Sequence, residues 1–200
     1  MKKEQLKPGN MLNPLPVVMV SCGTTEEEYN IITVAWCGTI CTDPPMCYIS
    51  IKPNRYSYNI IKKNKEFVIN LTTEKLASIT DWCGVRSGEQ YNKFKEMNLT
   101  AGTASKIKTP IIMESPINLE CVVKDIIKLG SHDMFIAEIV SVNINENLMS
   151  NETGSINFDD LNLLSFSHGN YYKLGRKIGK FGFSVQKKKK KNNRIDRNKH

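Results

Sequence analysis

Two stretches late in the chain decide the fold class: Ile117-Asn-Leu-Glu-Cys-Val-Val123 and Met134-Phe-Ile-Ala-Glu-Ile-Val-Ser-Val-Asn-Ile144. In the first, Ile117, Leu119, Cys121 and Val123 alternate with Asn118 and Glu120, the two-residue period of a strand with one face in a core. In the second, Met134, Ile136, Val140, Val142 and Ile144 fall on one face and Phe135, Ala137, Ile139 and Ser141 on the other, so both faces are partly apolar. An antiparallel sheet with one wet face carries polar residues along the whole of that face. The pattern therefore predicts a closed barrel whose outer wall is also covered, by helices or by a second subunit.

Working outward, residues 16–23, 31–37, 46–52 and 66–71 also read as strands, with Asp43-Pro44-Pro45 punctuating the second and third. Ser57 reads as the N-cap of a helix from Tyr58 to Lys65, and helical patterns follow at 73–83 and 89–97. Strands dominate, and the few helices sit between them. The chain is mainly β (α+β), not a doubly wound α/β sheet.

Two hundred residues suit one folding unit. The net charge of +8 is concentrated at one end: residues 186–200 hold six lysines, two arginines and Asp196, leaving residues 1–185 close to neutral. Residues 1–185 are thus expected to form the domain and 186–200 a basic, disordered tail. No aromatic interleaves with Lys187–Lys191 to stack on bases, which argues against a nucleic-acid surface. No apolar run approaches the ~18 residues of a membrane span. Asn13, Pro14 and Pro16 interrupt any signal core ahead of Cys22. The six cysteines lie within apolar runs and form no CxxC, so reduced thiols, no metal site and a cytoplasmic location are expected.

The usual catalytic signatures fail. Gly175-Arg-Lys-Ile-Gly-Lys180 is one residue short of a phosphate loop and is followed by Phe181 rather than Ser or Thr. No GxGxxG follows a strand, and neither GxSxG nor HExxH occurs. What remains is a cluster over residues 31–59. Thr33-Val-Ala-Trp-Cys37 offers small and hydroxyl side chains along a strand against which a flat ring can lie. Ser50-Ile-Lys-Pro-Asn-Arg-Tyr-Ser-Tyr58 supplies two cations, hydroxyls and a helix start. That set suits a phosphate, because helix N-termini attract anions and Lys and Arg add charge-assisted hydrogen bonds. On composition alone the same residues are better described as solvated turn charges at Lys52 and Arg55 and an ordinary cap at Ser57.

The strings Asn30-Ile-Ile-Thr-Val-Ala-Trp-Cys-Gly38, Asp43-Pro-Pro45, Ile49-Ser-Ile-Lys-Pro-Asn-Arg-Tyr-Ser57 and Glu66-Phe-Val-Ile-Asn-Leu71 together resemble the flavin reductase-like, FMN-binding split-barrel family, and its flavoredoxin branch in particular. The resemblance continues through Cys83-Gly-Val-Arg-Ser-Gly88, Lys93-Phe94, Glu114-Ser-Pro116, Leu119-Glu-Cys121, Gly130-Ser-His-Asp-Met-Phe135 and Tyr171-Tyr-Lys-Leu-Gly175. It implies a Greek-key antiparallel split barrel with a few peripheral helices, a homodimer, and non-covalent FMN near the dimer interface. On that resemblance Thr33, Ala35, Trp36 and Cys37 line the isoalloxazine, with Ser50 beside them. Lys52, Arg55, Tyr56, Ser57 and Tyr58 form the phosphate end, and Ser87 and Gly88 reach the cofactor from a loop of the partner subunit. His132 falls at the reactive face, where a nicotinamide or other substrate approaches.

The function so implied is electron transfer from NAD(P)H or a redox partner, through FMN, to free flavin, a ferric complex or a protein. A carrier without NAD(P)H turnover of its own is the alternative within the family. A cofactor-free β-barrel binding module using its basic tail is the alternative outside it. Cys37 is a candidate for tuning the flavin or meeting substrate sulfur, and His168 reads as a loop residue.

Overall fold

The computed structural model describes residues 1–150, 154–158 and 161–185, so the expected basic tail at 186–200 lies outside the described residues. In chain order the strands are β1 (Leu15–Pro16), β2 (Val18–Cys22), β3 (Asn30–Val34), β4 (Cys37–Thr42), β5 (Pro45–Ile51), β6 (Glu66–Leu71), β7 (Ala101–Gly102), β8 (Ile111–Ile112), β9 (Ile117–Lys128), β10 (Asp133–Ile144), β11 (Leu164–Ser167) and β12 (Asn170–Lys173). Three short helices interrupt them: α1 (Tyr56–Asn64), α2 (Ala77–Val85) and α3 (Lys93–Glu96).

Seven strands form one antiparallel sheet in the order β3-β2-β6-β9-β10-β5-β4. Its two edges, β3 and β4, are consecutive in sequence and joined only by Ala35 and Trp36. Such a short link forces the sheet to curl until its edges meet, which makes it a barrel. The split lies between β3 and β5, on either side of the link. There the Ser50 N–H donates to the Trp36 carbonyl at 2.8 Å. The sequence reading carried one strand through residue 37. In the structure the chain turns at Ala35–Trp36, and Cys37 opens a new strand paired with Ile49.

The barrel interior is filled by Val20, Ile49, Ile51, Ile61, Phe67 and Phe135, all fully or almost fully buried. Alternation works as expected on β10, whose Phe135 and Ala137 enter the core. The expectation for the outer wall is met on one side only. The helices pack on β2, β3 and β6, while on the far side Val142 of β10 and Ile127 of β9 stay exposed.

A second cluster around Met19, Ile31, Leu76, Cys83, Phe94 and Ile112 lies under α2 and α3. Lys93 sits at its edge, and its Nζ donates to the carbonyls of Ile31 (2.7 Å) and Cys83 (2.6 Å). A separate three-stranded sheet, β1-β11-β12, ties Leu15 and Pro16 to Phe166 and Ser165. The hairpin β11–β12 went unread in the sequence because its strands are four residues long and lack clean alternation. His168 turns it with φ 48°, a loop position as expected.

Candidate functional site

The split opens into a cleft of about 260 Å³ whose walls come from β3, the link, the end of β5 and the β9–β10 turn. Thr33, Ala35, Trp36, Ser50, Lys52, Arg55 and His132 all line it. Residues spread over a hundred positions of sequence are brought together by one barrel edge. Phe166, from the β11–β12 hairpin, forms part of the wall and was not anticipated; with the hairpin unread, nothing in the sequence pointed to it.

Each side chain is set by local structure. Thr33 faces α2, where its hydroxyl donates to the Thr80 carbonyl at 2.5 Å, so its contribution to the cleft is backbone and methyl. Trp36 projects outward from the link and its ring lies 4.2 Å from the His132 imidazole, centroid to centroid, at a tilt of 51°. Ser131 Oγ holds His132 Nδ1 at 2.9 Å. Burial, reinforced by the positive charges of Lys52 and Arg55, pushes His132 below its ordinary value, so the ring is neutral at pH 7.

A smaller cavity of about 90 Å³ adjoins this cleft and shares Ile32 and Arg55 with it. Tyr56, Ser57, Ser87 and Gly88 line it, together with Asn30, Asn54, Arg86 and Lys93. It sits at the first turn of α1, whose N-cap is Arg55 with extended backbone and no side-chain capping bond. Ser57 is therefore not the cap. It lies inside the first turn, fully buried, and its hydroxyl accepts from Asn30 Nδ2 at 2.8 Å. The Tyr58 N–H donates to the Arg55 carbonyl at 2.9 Å, which leaves the N–H groups of Tyr56 and Ser57 at the start of α1 for an anion.

Two of the expected residues do not reach the site. Tyr58 points into the barrel core against Phe135, and its hydroxyl donates to Asp133 Oδ2 at 2.6 Å. One residue past Ser57, it faces the other side of the helix. The Cys37 side chain is buried in the barrel core, its thiol 3.9 Å from the Val34 carbonyl and pushed up to about 12 by burial. Trp36 occupies the outward position, and alternation turns Cys37 inward. Cys37 is thus a packing residue, and no redox role is assigned to it.

The chemistry of the donor set suits a flavin phosphate. Lys52, Arg55 and Arg86 converge on the two cavities, and among the described residues none pairs with a carboxylate. Asn30 Oδ1 is buried without a hydrogen-bond partner. A Cβ built on Gly88 would stand 2.2 Å from that atom, so only glycine lets the 83–88 segment close on Asn30. The barrel edge offers a flat slot and the helix end a cationic corner, the two halves that a ring bearing a phosphate monoester requires.

Residues 11–175 match the family described as the flavin reductase like domain. A protein of Archaeoglobus fulgidus is 31% identical over 142 residues, covering 71% of this chain and 79% of that one. The flavoredoxin of Desulfovibrio vulgaris (Miyazaki F) superposes with a TM-score of 0.84 at 24% identity, over 92% of this chain and 100% of that one. An FMN-binding protein from Thermus thermophilus, whose structure holds 1-cyclohex-2-enone, superposes at 0.70 with 22% identity, over 86% and 94% of the two chains. The chain belongs to the flavin reductase-like family, and its fold is the split barrel of that family.

Proposed function

We propose that the protein is an FMN-binding oxidoreductase that passes electrons from NAD(P)H, or from a redox partner, to an acceptor such as free flavin, a ferric complex or another protein. The observation that carries this reading is the convergence of Trp36, Ser50, Lys52, Arg55 and His132 on one cleft at the barrel split. The likeness to an FMN-binding protein of the same fold supports the choice of cofactor.

In this reading Thr33, Ala35, Trp36 and Ser50 seat the ring. Lys52, Arg55, Tyr56 and the first turn of α1 hold the phosphate, with Ser87 and Gly88 closing over it. Flavin supplies the hydride and electron chemistry, so the protein needs neither a nucleophile nor a metal of its own. The protein's task is orientation and electrostatics. Neutral His132, its ring tilted against Trp36 and its Nδ1 hydrogen-bonded with Ser131 Oγ, can donate or accept a hydrogen bond to a nicotinamide carboxamide.

The exposed apolar side chains Ile127 on β9 and Val142 on β10 support a homodimer whose interface covers them. Residues 1–185 make up the functional domain in this reading, and the cytoplasm is its location.

The test is a visible spectrum of the protein after incubation with FMN and desalting. Flavin bands retained at one per chain support the reading, and a colourless protein overturns it. Steady NADH or NADPH oxidation with added free flavin then selects the enzyme over a carrier of the flavoredoxin type. Light scattering reports the dimer.

A further inference from the structure

The last strand, β12, ends at Lys173, and Leu174 is still tied to the domain, its N–H donating to the Leu163 carbonyl at 3.0 Å. Beyond it runs Gly175-Arg-Lys-Ile-Gly-Lys-Phe-Gly-Phe-Ser-Val185, whose one regular feature is a turn of 3-10 helix at Phe183–Val185. Ile178, Phe181 and Val185 are almost wholly exposed, and Leu174 and Phe183 more than half exposed. Exposed apolar side chains scattered singly are ordinary, but five within residues 174–185, two of them phenylalanine, ask for a partner. This arm begins where the family match ends, at residue 175, so the shared domain does not account for it.

The same stretch is basic. Arg176, Lys177 and Lys180 stand between the apolar positions, Lys187–Lys191 follow in sequence, and the only acid among residues 174–200 is Asp196. The net charge of +8 on the whole chain comes from this end. A partner for the arm must therefore offer negative charge and an apolar layer within a side-chain length of each other. The surface of an anionic bilayer is built that way, with charged headgroups outside and acyl chains beneath. A second copy of the chain is a poorer match, since the cleft beside this arm presents Lys52, Arg55 and Arg86. Nucleic acid is poorer too, because Leu174, Ile178 and Val185 cannot stack on bases.

We propose that residues 174–185 are an interfacial anchor which, with the lysines that follow, holds the protein on a bilayer surface rich in anionic phospholipid. The two signals act together. The cations supply an attraction that salt screens, and Ile178, Phe181 and Phe183 enter the boundary between headgroups and acyl chains. Glycines at 175, 179 and 182 keep the segment from forming a long helix, so the anchor lies on the bilayer and does not span it. This attachment goes beyond the flavin reading and is independent of it.

The test is flotation of the full chain with vesicles of phosphatidylcholine alone and of phosphatidylcholine mixed with phosphatidylserine. Partition onto the mixed vesicles is expected to be about tenfold stronger, and to fall about tenfold between ~0.1 M and ~1 M salt as the screening length shortens. Replacing Lys187–Lys191 together by Ala should remove most of that preference. Ile178→Ser, Phe181→Ser and Phe183→Ser combined keep every charge and should still weaken partition about tenfold. Phe181→Trp, read as the difference from wild type, should gain a blue-shifted emission with mixed vesicles and not with neutral ones. No partition, equal partition onto the two vesicles, or serine variants that bind as well as wild type overturn the proposal. So does tighter binding to an oligonucleotide than to mixed vesicles in the same salt. A blue-shifted Phe181→Trp emission already present without vesicles, where the chain self-associates, also overturns it and assigns the arm to a second copy. All these substitutions lie outside the barrel, and FMN retention, scored separately on the same samples, decides the flavin reading.

Discussion

Two groups of charged side chains sit on opposite parts of this barrel and are finished to different degrees. On one, Glu120 is fully buried and saturated. Its Oε1 accepts from Ser105 N, Ser105 Oγ and Asn143 Nδ2, each at 2.7 Å, and its Oε2 from the N–H groups of Lys106 (2.7 Å) and Ile107 (3.2 Å). Glu66 continues the clamp onto Lys108 and Thr109, both at 2.8 Å. On the other, Lys52, Arg55, Arg86 and Lys93 face a cleft with no acid among them. A charged group whose lone pairs are all used holds the chain in place. A set of charges with capacity left over is built for something that comes and goes. The contrast separates scaffold from site without reference to any relative.

Removing a carboxylate from the saturated side is expected to have the largest effect. Glu120→Gln replaces one acceptor oxygen by an NH2 donor that faces other donors and should cost about 3 kcal/mol, lowering Tm by roughly 6–12 °C in a domain of this size. Flavin affinity measured well below that Tm should stay the same. Calorimetric melting and an FMN titration read the two halves of the claim, and an unchanged Tm breaks the comparison.

The same carboxylate predicts a pH effect. Burial raises the Glu120 pKa, but hydrogen bonds from Asn143, Ser105 and Lys106 outweigh it and the net shift is downward. A depressed folded value means the stabilisation is present above the ordinary glutamate range and is lost as pH falls through the folded value. Denaturant melts between pH 6 and 3 should show it in wild type and less of it in Glu120→Gln.

On the unsaturated side, Lys52→Ala with Arg55→Ala should weaken FMN by more than about tenfold, since charge-assisted hydrogen bonds contribute about 1.5–3 kcal/mol each. Tm without flavin should hold or rise, because like charges are removed. An unchanged Kd would sharpen the comparison against the phosphate assignment. A smaller effect is expected at His132: His132→Gln should slow NAD(P)H oxidation about fivefold, the worth of one hydrogen bond. It should also remove an inflection below pH 6.5 from the rate profile, because burial, Lys52 and Arg55 lower this imidazole.

The smallest effect is none at all. Cys47 and Cys121 touch at 3.6 Å between sulfurs, but β10 runs between their strands. With a strand between them, at about 4.8 Å per strand spacing, their Cα atoms are about 9 Å apart, past the ~7 Å that a disulfide tolerates. Mild oxidant should leave the mass and the thiol count of this pair unchanged.

The barrel was legible because period-two alternation on 117–123 and 134–144 survives any tertiary context that buries one face. The antiparallel pairing of the long strands followed from the same signal, and their order did not. The turn at Ala35–Trp36 was not legible, since Val34 and Trp36 are strand formers, no Gly, Pro, Asn or Asp stands among residues 34–37, and nothing local marks where hydrogen bonding changes partner. Thr33, Ala35, Trp36, Ser50, Lys52, Arg55 and His132 were chosen from sequence and meet at one cleft. Tyr58 and Cys37 were misplaced for one reason: adjacent residues on a helix or strand point apart, and a run of plausible ligands cannot all face one ligand. Asn30, Arg86 and Lys93 went unnoticed as site residues because each lies on a different element. Only the closing of α2 and α3 over β3 makes them neighbours.

The little sheet in which Leu15 and Pro16 pair with Phe166 and Ser165 has a practical corollary. It cinches both ends of the folded domain beside the mouth of the cleft, with Phe166 in the wall itself. A tag spliced ahead of Leu15 or a fusion joined soon after Lys173 would therefore emerge at the mouth of that cleft. Trimming back to either strand would loosen the Phe166 wall of the cleft before it touched the barrel.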